Sequence, residues 1–331
     1  MEFNILKNCI DINKTTNTNI VLKKEYIEQF LTNKQIPGSL FYRIIKKEND
    51  DENDLFNIWL RIVFRDFLPL TITPNTKAGE LYEKTIIQKK YGSTYELQKQ
   101  FNDEYFICKS DAYNTDLLVE IKTLSLDKLF YINSDEESMR LFFNPIDNLP
   151  IVKKTKGKYN ELFCVKQASN RIELLYNYEN GIKKKKNINE IINYIFEKIE
   201  PSRFYKVEKI IENIYQVVLY MYILRKNNEV CNNASLCYVF LPKEIYFNDE
   251  ANQEVFLNKF NKEVNEYESE TIEFSYEEII DNKHLEFFNN LEKAYEWIKQ
   301  HIWQGISPTM NLKSKVELEK IVNNKNLKIK E

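Results

Sequence analysis

"KSDAYNTDLLVEIKT", residues 109–123, sets an acid at Asp111, an apolar run Leu117-Leu118-Val119, and then Glu120-Ile121-Lys122. Along an extended strand residues i and i+2 share a face, so Glu120 and Lys122 project together while Ile121 points to the opposite, packed side. Asp111 precedes Glu120 by eight intervening residues, which suits a neighbouring strand across a short turn at Asn114-Thr115. Two carboxylates and a lysine then meet at one end of a sheet. Hard oxygen donors of this kind suit Mg²⁺, and a nearby ammonium can orient an attacking water. Taken alone, the same stretch also reads as a solvated Glu–Lys pair on a half-exposed strand, because E-x-K is a common pattern.

The rest of the chain narrows the choice. Its 331 residues are 43% apolar and 14% aromatic, enough for one sizeable core with additions or for two small domains. With six Gly and eight Pro, Gly-rich phosphate loops and turn-dense β-sandwiches are disfavoured. Neither G-x-x-x-x-G-K-[ST] nor G-x-G-x-x-G occurs, which sets aside P-loop and dinucleotide readings. The two histidines, His284 and His301, lie 17 residues apart and leave little for zinc, so a metal here is expected to take oxygen ligands. Cys9, Cys108, Cys164, Cys231 and Cys237 are scattered and form no C-x-x-C pair. That spacing and the lack of a signal-peptide pattern predict an intracellular protein, in the cytoplasm or in a nucleus or viral factory. No run of about 18 apolar residues is present, so no membrane span is expected.

Charge is unevenly spread. Residues 151–186 carry ten Lys/Arg against three Glu, including the run Lys183, Lys184, Lys185 and Lys186. Residues 249–299 carry fourteen acids against five Lys. A uniformly basic nucleic-acid coat is thereby excluded, whereas a local basic arm remains open beside the plainer reading of a solvated charged face.

The expected organisation is α/β. Residues 1–75 read as an N-terminal helical region broken at Pro37-Gly38 and Pro69, with "KENDDEND" at 47–54 as an acidic loop. "TPNTKAGELYEKTIIQKKYG" predicts a helix from a Thr76 cap to about Tyr91, stopped by Gly92, followed by a strand meander. Residues 131–200 read as a basic β-rich insertion closed by a helix. The 201–245 stretch opens with the clearest helix of the chain, striped by Val207, Ile210, Ile211, Ile214, Val217, Val218 and Met221, and then a strand. Residues 246–331 read as acidic and helical.

Two helices flank the opening motif in sequence. The first carries Gly79 and Glu83 in "AGELYEK"; the second carries Gln216 and Tyr220 in "YQVVLYMYIL", where Gln216 is a polar side chain among apolar ones. A buried amide needs partners, in a site or simply on a core backbone group. In order, G-x-x-x-E on a helix, D-x8-E-x-K on strands and Q-x-x-x-Y on a helix resemble the PD-(D/E)xK nuclease superfamily, in its RecB-type and lambda-exonuclease-like branch. The likeness covers roughly 77–130 and 203–245.

That resemblance implies a restriction-endonuclease-like core, a central mixed β-sheet flanked by helices, formed by residues 76–130 and 201–245. It implies a Mg²⁺- or Mn²⁺-dependent deoxyribonuclease acting on DNA in replication, recombination or repair, as an exonuclease. Glu83, Asp111 and Glu120 would be metal ligands together with the backbone carbonyl of Ile121, with Glu80 the alternative to Glu83 and Asp116 to Asp111. Lys122 would position the water, with a lowered pKa if desolvated, and Gln216 and Tyr220 would line the site. Lys183 to Lys186 would grip the DNA backbone. Ser110 stands where the family commonly has Pro. Cys231 and Cys237 have a C-x5-C spacing found in iron–sulfur members, but without the accompanying C-x-x-C no cluster is expected, and Cys237 reads as a core residue. A catalytically inactive DNA-binding scaffold subunit and a restriction- or resolvase-like endonuclease are the alternatives. A protein partner on the terminal helical regions is a further expectation.

Overall fold

The computed structural model describes residues 8–46, 52–65, 74–125, 140–143, 150–153, 164–166, 171–173, 176–179, 182–185, 205–241, 253–263, 269–283 and 285–310. Its helices in chain order are α1 (Lys24–Phe30), α2 (Phe41–Ile45), α3 (Glu52–Val63), α4 (Pro74–Lys90), α5 (Tyr205–Lys226), α6 (Gln253–Glu263), α7 (Tyr276–Ile280) and α8 (Phe287–Trp297). The strands of the central sheet are β1 (Glu96–Leu97), β2 (Ala112–Tyr113), β3 (Leu117–Ser125), β4 (Asn233–Leu241) and β5 (Ser269–Ser275), in spatial order β5-β4-β3-β2-β1. β3 and β4 run parallel, while β5, β2 and β1 are each antiparallel to their inner neighbour. The fold class is therefore α/β, a mixed sheet flanked by helices, as expected. Among the described residues no helix is long and apolar enough to cross a membrane.

The chain divides into two compact units. Unit 1 contains residues 1–71, 102–108 and 286–331, and its core mixes aliphatic with aromatic side chains. Phe41 meets both Phe106 and Phe287 edge-on, and Tyr105 stacks between Tyr295 and Trp303 at centroid distances of 4.0 and 5.0 Å. Asp103 organises that stack, accepting from the Tyr105 and Phe106 amides and from the Tyr295 hydroxyl.

Unit 2 contains residues 72–101 and 109–285 and holds the sheet. Alternation along the strands sorts its faces. Val119 and Ile121 of β3 and Cys237, Val239 and Leu241 of β4 pack against Tyr82, Ile86 and Ile87 of α4 and Phe260 of α6. Cys237 is thus a core residue. Burying each such aliphatic or aromatic side chain contributes about 1.5–3 kcal/mol. Glu120, Lys122, Leu236 and Tyr238 face the other way, toward α5, whose Gln216 and Asn213 bond Glu120 and Tyr238 respectively. From Ile211 to Leu224 α5 is buried on nearly every side.

Element ends follow local chemistry. α4 starts at Pro74 rather than after a Thr76 cap, since proline at the first helical position sacrifices no intrahelical donor. It ends as expected at Gly92, which sits at φ 91°. Asn228, at φ 61°, closes α5, with the Glu229 amide donating back to the Leu224 carbonyl at 3.0 Å. Between β2 and β3, Asn114 turns the chain by accepting from the Asp116 and Leu117 amides.

One expectation needs correction. The stretch after residue 246 is not helical throughout: β5 lies there and pairs along its length with β4. Ile272 and Phe274 alternate with Thr271 and Glu273 and are buried, so period-two patterning overrides the acidic composition. Among the described residues of the 131–200 region six short strands pair antiparallel two by two, including Tyr176–Glu179 with Ile182–Lys185. The helix expected at its end and the break at Pro69 lie outside the described residues.

Candidate active site

The site is built at the edge where β2 stops and β3 continues. β2 covers Leu118 and Val119, leaving the next amides of that edge without a ladder partner from β2. The Asp111 carboxylate, just before β2, takes over this role and accepts the Ile121 amide at 2.6 Å through Oδ2. Because the N–H and C=O of a strand residue point to the same edge, the Ile121 carbonyl faces the Asp111 side as well. Glu120, one residue back, projects toward α5 and is 3% exposed.

Around Glu120 the polar groups close a network. Its Oε1 accepts from Lys122 Nζ at 2.6 Å and from Gln216 Nε2 at 2.8 Å. Gln216 Nε2 also lies 3.0 Å from the Tyr220 hydroxyl, while Lys122 Nζ donates to Gln216 Oε1 at 3.4 Å. Tyr220 is held edge-on to the Phe101 ring at 5.5 Å. Four sequence-predicted residues thus meet directly: Glu120, Lys122, Gln216 and Tyr220. Glu120 Oε2 is buried with no hydrogen-bond partner, and so is Ser110 Oγ beside Asp111.

Glu83 reaches the group from α4. Its carboxylate accepts from the Gln98 side-chain amide and interacts with Asp111. Burial, then the Glu120 charge, raises its pKa, against the hydrogen bonds of Gln98 and Asp111 and the charge of Lys109. Asp111 is pushed well above the ordinary carboxylate range by burial and by Glu120 and Glu83, with Lys122 and the Ile121 amide offsetting part of the rise. Lys122 departs from the expectation of a lowered pKa. Burial pulls its ammonium down, but Glu120 and Asp111 outweigh that and hold it above the ordinary value. The physical reason is that more than one carboxylate faces this ammonium.

Hard oxygen donors, a lone buried carboxylate oxygen and excess negative charge fit a divalent cation in chemistry. The side chains do not yet surround one point: among the described residues no three His, Cys, Asp or Glu are gathered as a metal-holding group. Lys122 and Gln216 on Glu120, Gln98 on Glu83 and the Ile121 amide on Asp111 occupy the oxygens instead. Ligation therefore requires exchange of these bonds.

Other expected residues lie elsewhere. Asp116 is exposed in the β2–β3 turn. The Glu80 side chain, Lys186 and His284 are outside the described part, and Lys183 to Lys185 are described only as strand backbone. Gln98 was not singled out from the sequence. It lies in the stretch "YELQKQFND", which carries no sequence signal for it; in the structure it follows the short strand β1.

Two solved structures resemble this chain at low identity. A phage-related exonuclease from Haemophilus somnus 129PT aligns with a TM-score of 0.40 and 12% identity over 83% of this chain and 97% of that one. An alkaline exonuclease from Laribacter hongkongensis aligns with a TM-score of 0.34 and 10% identity over 84% of this chain and 95% of that one. No family model matches the sequence. No curated protein matches it either.

Proposed function

We propose that this chain is a metal-dependent DNA nuclease of the PD-(D/E)xK type, an exonuclease of DNA replication, recombination or repair. The observation that carries the reading is Glu120: a buried carboxylate with one oxygen shared by Lys122 and Gln216 and the other left without a partner. A carboxylate kept only for structure is expected to have both oxygens satisfied, because a buried unpaired acceptor is costly. Asp111 and Glu83 add their negative charge to that of Glu120, an arrangement that favours a cation.

Glu83, Asp111, Glu120 and the Ile121 carbonyl would hold Mg²⁺ or Mn²⁺. The ion would supply Lewis-acid stabilisation of a phosphate oxygen and a more acidic bound water. Lys122, kept protonated by its acidic neighbours, acts as a donor that orients the attacking water and faces the charge developing on phosphorus, not as a base. Gln216 holds Glu120 and Lys122 through a hydrogen bond to each, and Tyr220 anchors Gln216 from the next turn of α5. DNA is the substrate this chemistry implies.

The test is degradation of linear and covalently closed circular DNA with Mg²⁺, Mn²⁺ or EDTA. Wild type should digest linear DNA only, and only with metal, whereas Lys122→Ala and Glu120→Ala should each lose at least about 100-fold in rate. Full activity in either variant would remove the proposed site, and activity in EDTA would remove the metal. Cleavage of closed circles would move the reading to the endonuclease alternative.

A further inference from the structure

Gln98 is exposed, yet its backbone is held at φ 55°, in the left-handed region. Asn33, Asn228, Gly92 and Gly305 also have positive φ, and they are residue types that tolerate it; Gln98 and Glu286 are not. The position of Gln98 in the sheet shows what the distortion does. β1 pairs with β2 through Leu97 opposite Ala112, and the Gln98 amide then donates to the Asp111 carbonyl at 3.0 Å. The Ser110 amide returns a bond to the Lys99 carbonyl at 3.0 Å, so residues 98–99 are braced against 110–111.

Leu97 packs into the cluster on the α4 side of the sheet. Regular alternation would send the next side chain to the opposite face, away from α4. With the left-handed backbone, the Gln98 amide instead donates to the Glu83 carboxylate on α4. One residue therefore touches both acids, Asp111 through its main chain and Glu83 through its side chain. Irregular strand residues that re-aim a side chain are a recurring device beside active sites.

We propose that Gln98 is a positioning residue for the metal centre, fixing the Glu83 carboxylate beside Asp111 so that α4 and β3 present their oxygens to the same ion. This rests on the metal-dependent reading above. Outer partners of this kind set the orientation of a ligand they do not replace, and losing one typically costs about 10-fold or more in metal affinity.

Asparagine separates the two roles of the residue. It accepts the left-handed backbone readily, but its side chain is one methylene shorter and withdraws the amide from Glu83. The experiment measures Mn²⁺ binding by titration calorimetry on the full chain, alongside thermal melting. Gln98→Asn and Gln98→Gly should melt within a few degrees of wild type and bind Mn²⁺ about 10-fold more weakly. In a Glu83→Ala background Gln98→Asn should make no further difference, because its effect passes through Glu83.

Undiminished Mn²⁺ binding in Gln98→Asn would overturn the proposal. So would an equal additional loss in the Glu83→Ala background, or a large drop in melting temperature for both the Asn and Gly variants, which would make Gln98 a determinant of the fold. If wild type takes up no Mn²⁺, the metal reading fails and this proposal fails with it. If Asp111→Asn and Glu120→Gln abolish binding while Gln98→Asn binds as tightly as wild type, the proposal alone fails.

Discussion

Lys122 and Asp111 show how far a side chain's properties depend on its neighbours. Sequence reasoning expects a desolvated lysine to lose proton affinity, yet the carboxylates at Glu120 and Asp111 reverse the direction. The same crowding acts on Asp111 with the opposite consequence. A carboxyl whose folded pKa lies above its unfolded value favours folding only while protonated, so at neutral pH its charge is a cost to the metal-free fold. Asp111→Asn should therefore melt above wild type in EDTA at neutral pH, because the neutral amide relieves the repulsion from Glu120 and Glu83. The asparagine oxygen can still accept from the Ile121 amide, so the fold loses little there. Adding Mn²⁺ should raise the wild-type melting temperature and leave the variant's nearly unchanged, because ligand stabilisation needs a site that binds. A variant that melts below wild type in EDTA would mean that the ionised bond to Ile121 outweighs the repulsion.

At the level of elements, legibility followed periodicity. The strand of Glu120 and Lys122 was readable because its apolar and polar residues alternate, and α5 because its stripe repeats at helical spacing across four turns. The order of Glu83, Asp111, Glu120, Lys122, Gln216 and Tyr220 along those elements was readable too, and the structure brings Glu120, Lys122, Gln216 and Tyr220 into one hydrogen-bond network. Two things were not. β5 is short and sits in an acidic stretch, where composition hides a two-residue alternation. Gln98 was invisible because a positive φ at glutamine is imposed by tertiary contacts and has no propensity signal. The β5 assignment has a direct consequence for stability. Phe274→Ala should cost about 3–5 kcal/mol in urea unfolding, as for other buried aromatics, whereas Glu273→Ala next to it should stay within about 0.5 kcal/mol. Equal effects at the two positions would contradict a strand with one buried face.

Across the whole molecule the dominant feature is the separation of charge along the chain, ten Lys/Arg against three Glu in residues 151–186 and fourteen acids against five Lys in residues 249–299. With a net charge of −3, overall attraction to DNA is absent, so any binding must come from a local concentration of cations. The carboxylates Glu83, Asp111 and Glu120 add to this requirement, since carboxylate charge repels a phosphate backbone unless a cation compensates. Residues 182–185 form one strand of a hairpin with residues 176–179, which puts three consecutive lysines on a short extended segment. Each contact from Lys183 to Lys186 to a phosphate would add to the salt dependence of binding. Each neutralised phosphate contributes roughly 0.9 to the slope of log affinity against log salt on duplex DNA. Replacing all four lysines with alanine should then lower that slope by about 1 or more, with little change in cleavage rate at saturating DNA and low salt. Binding measured by fluorescence anisotropy across a salt series provides the slope, and an unchanged slope would place the DNA contacts elsewhere on the chain.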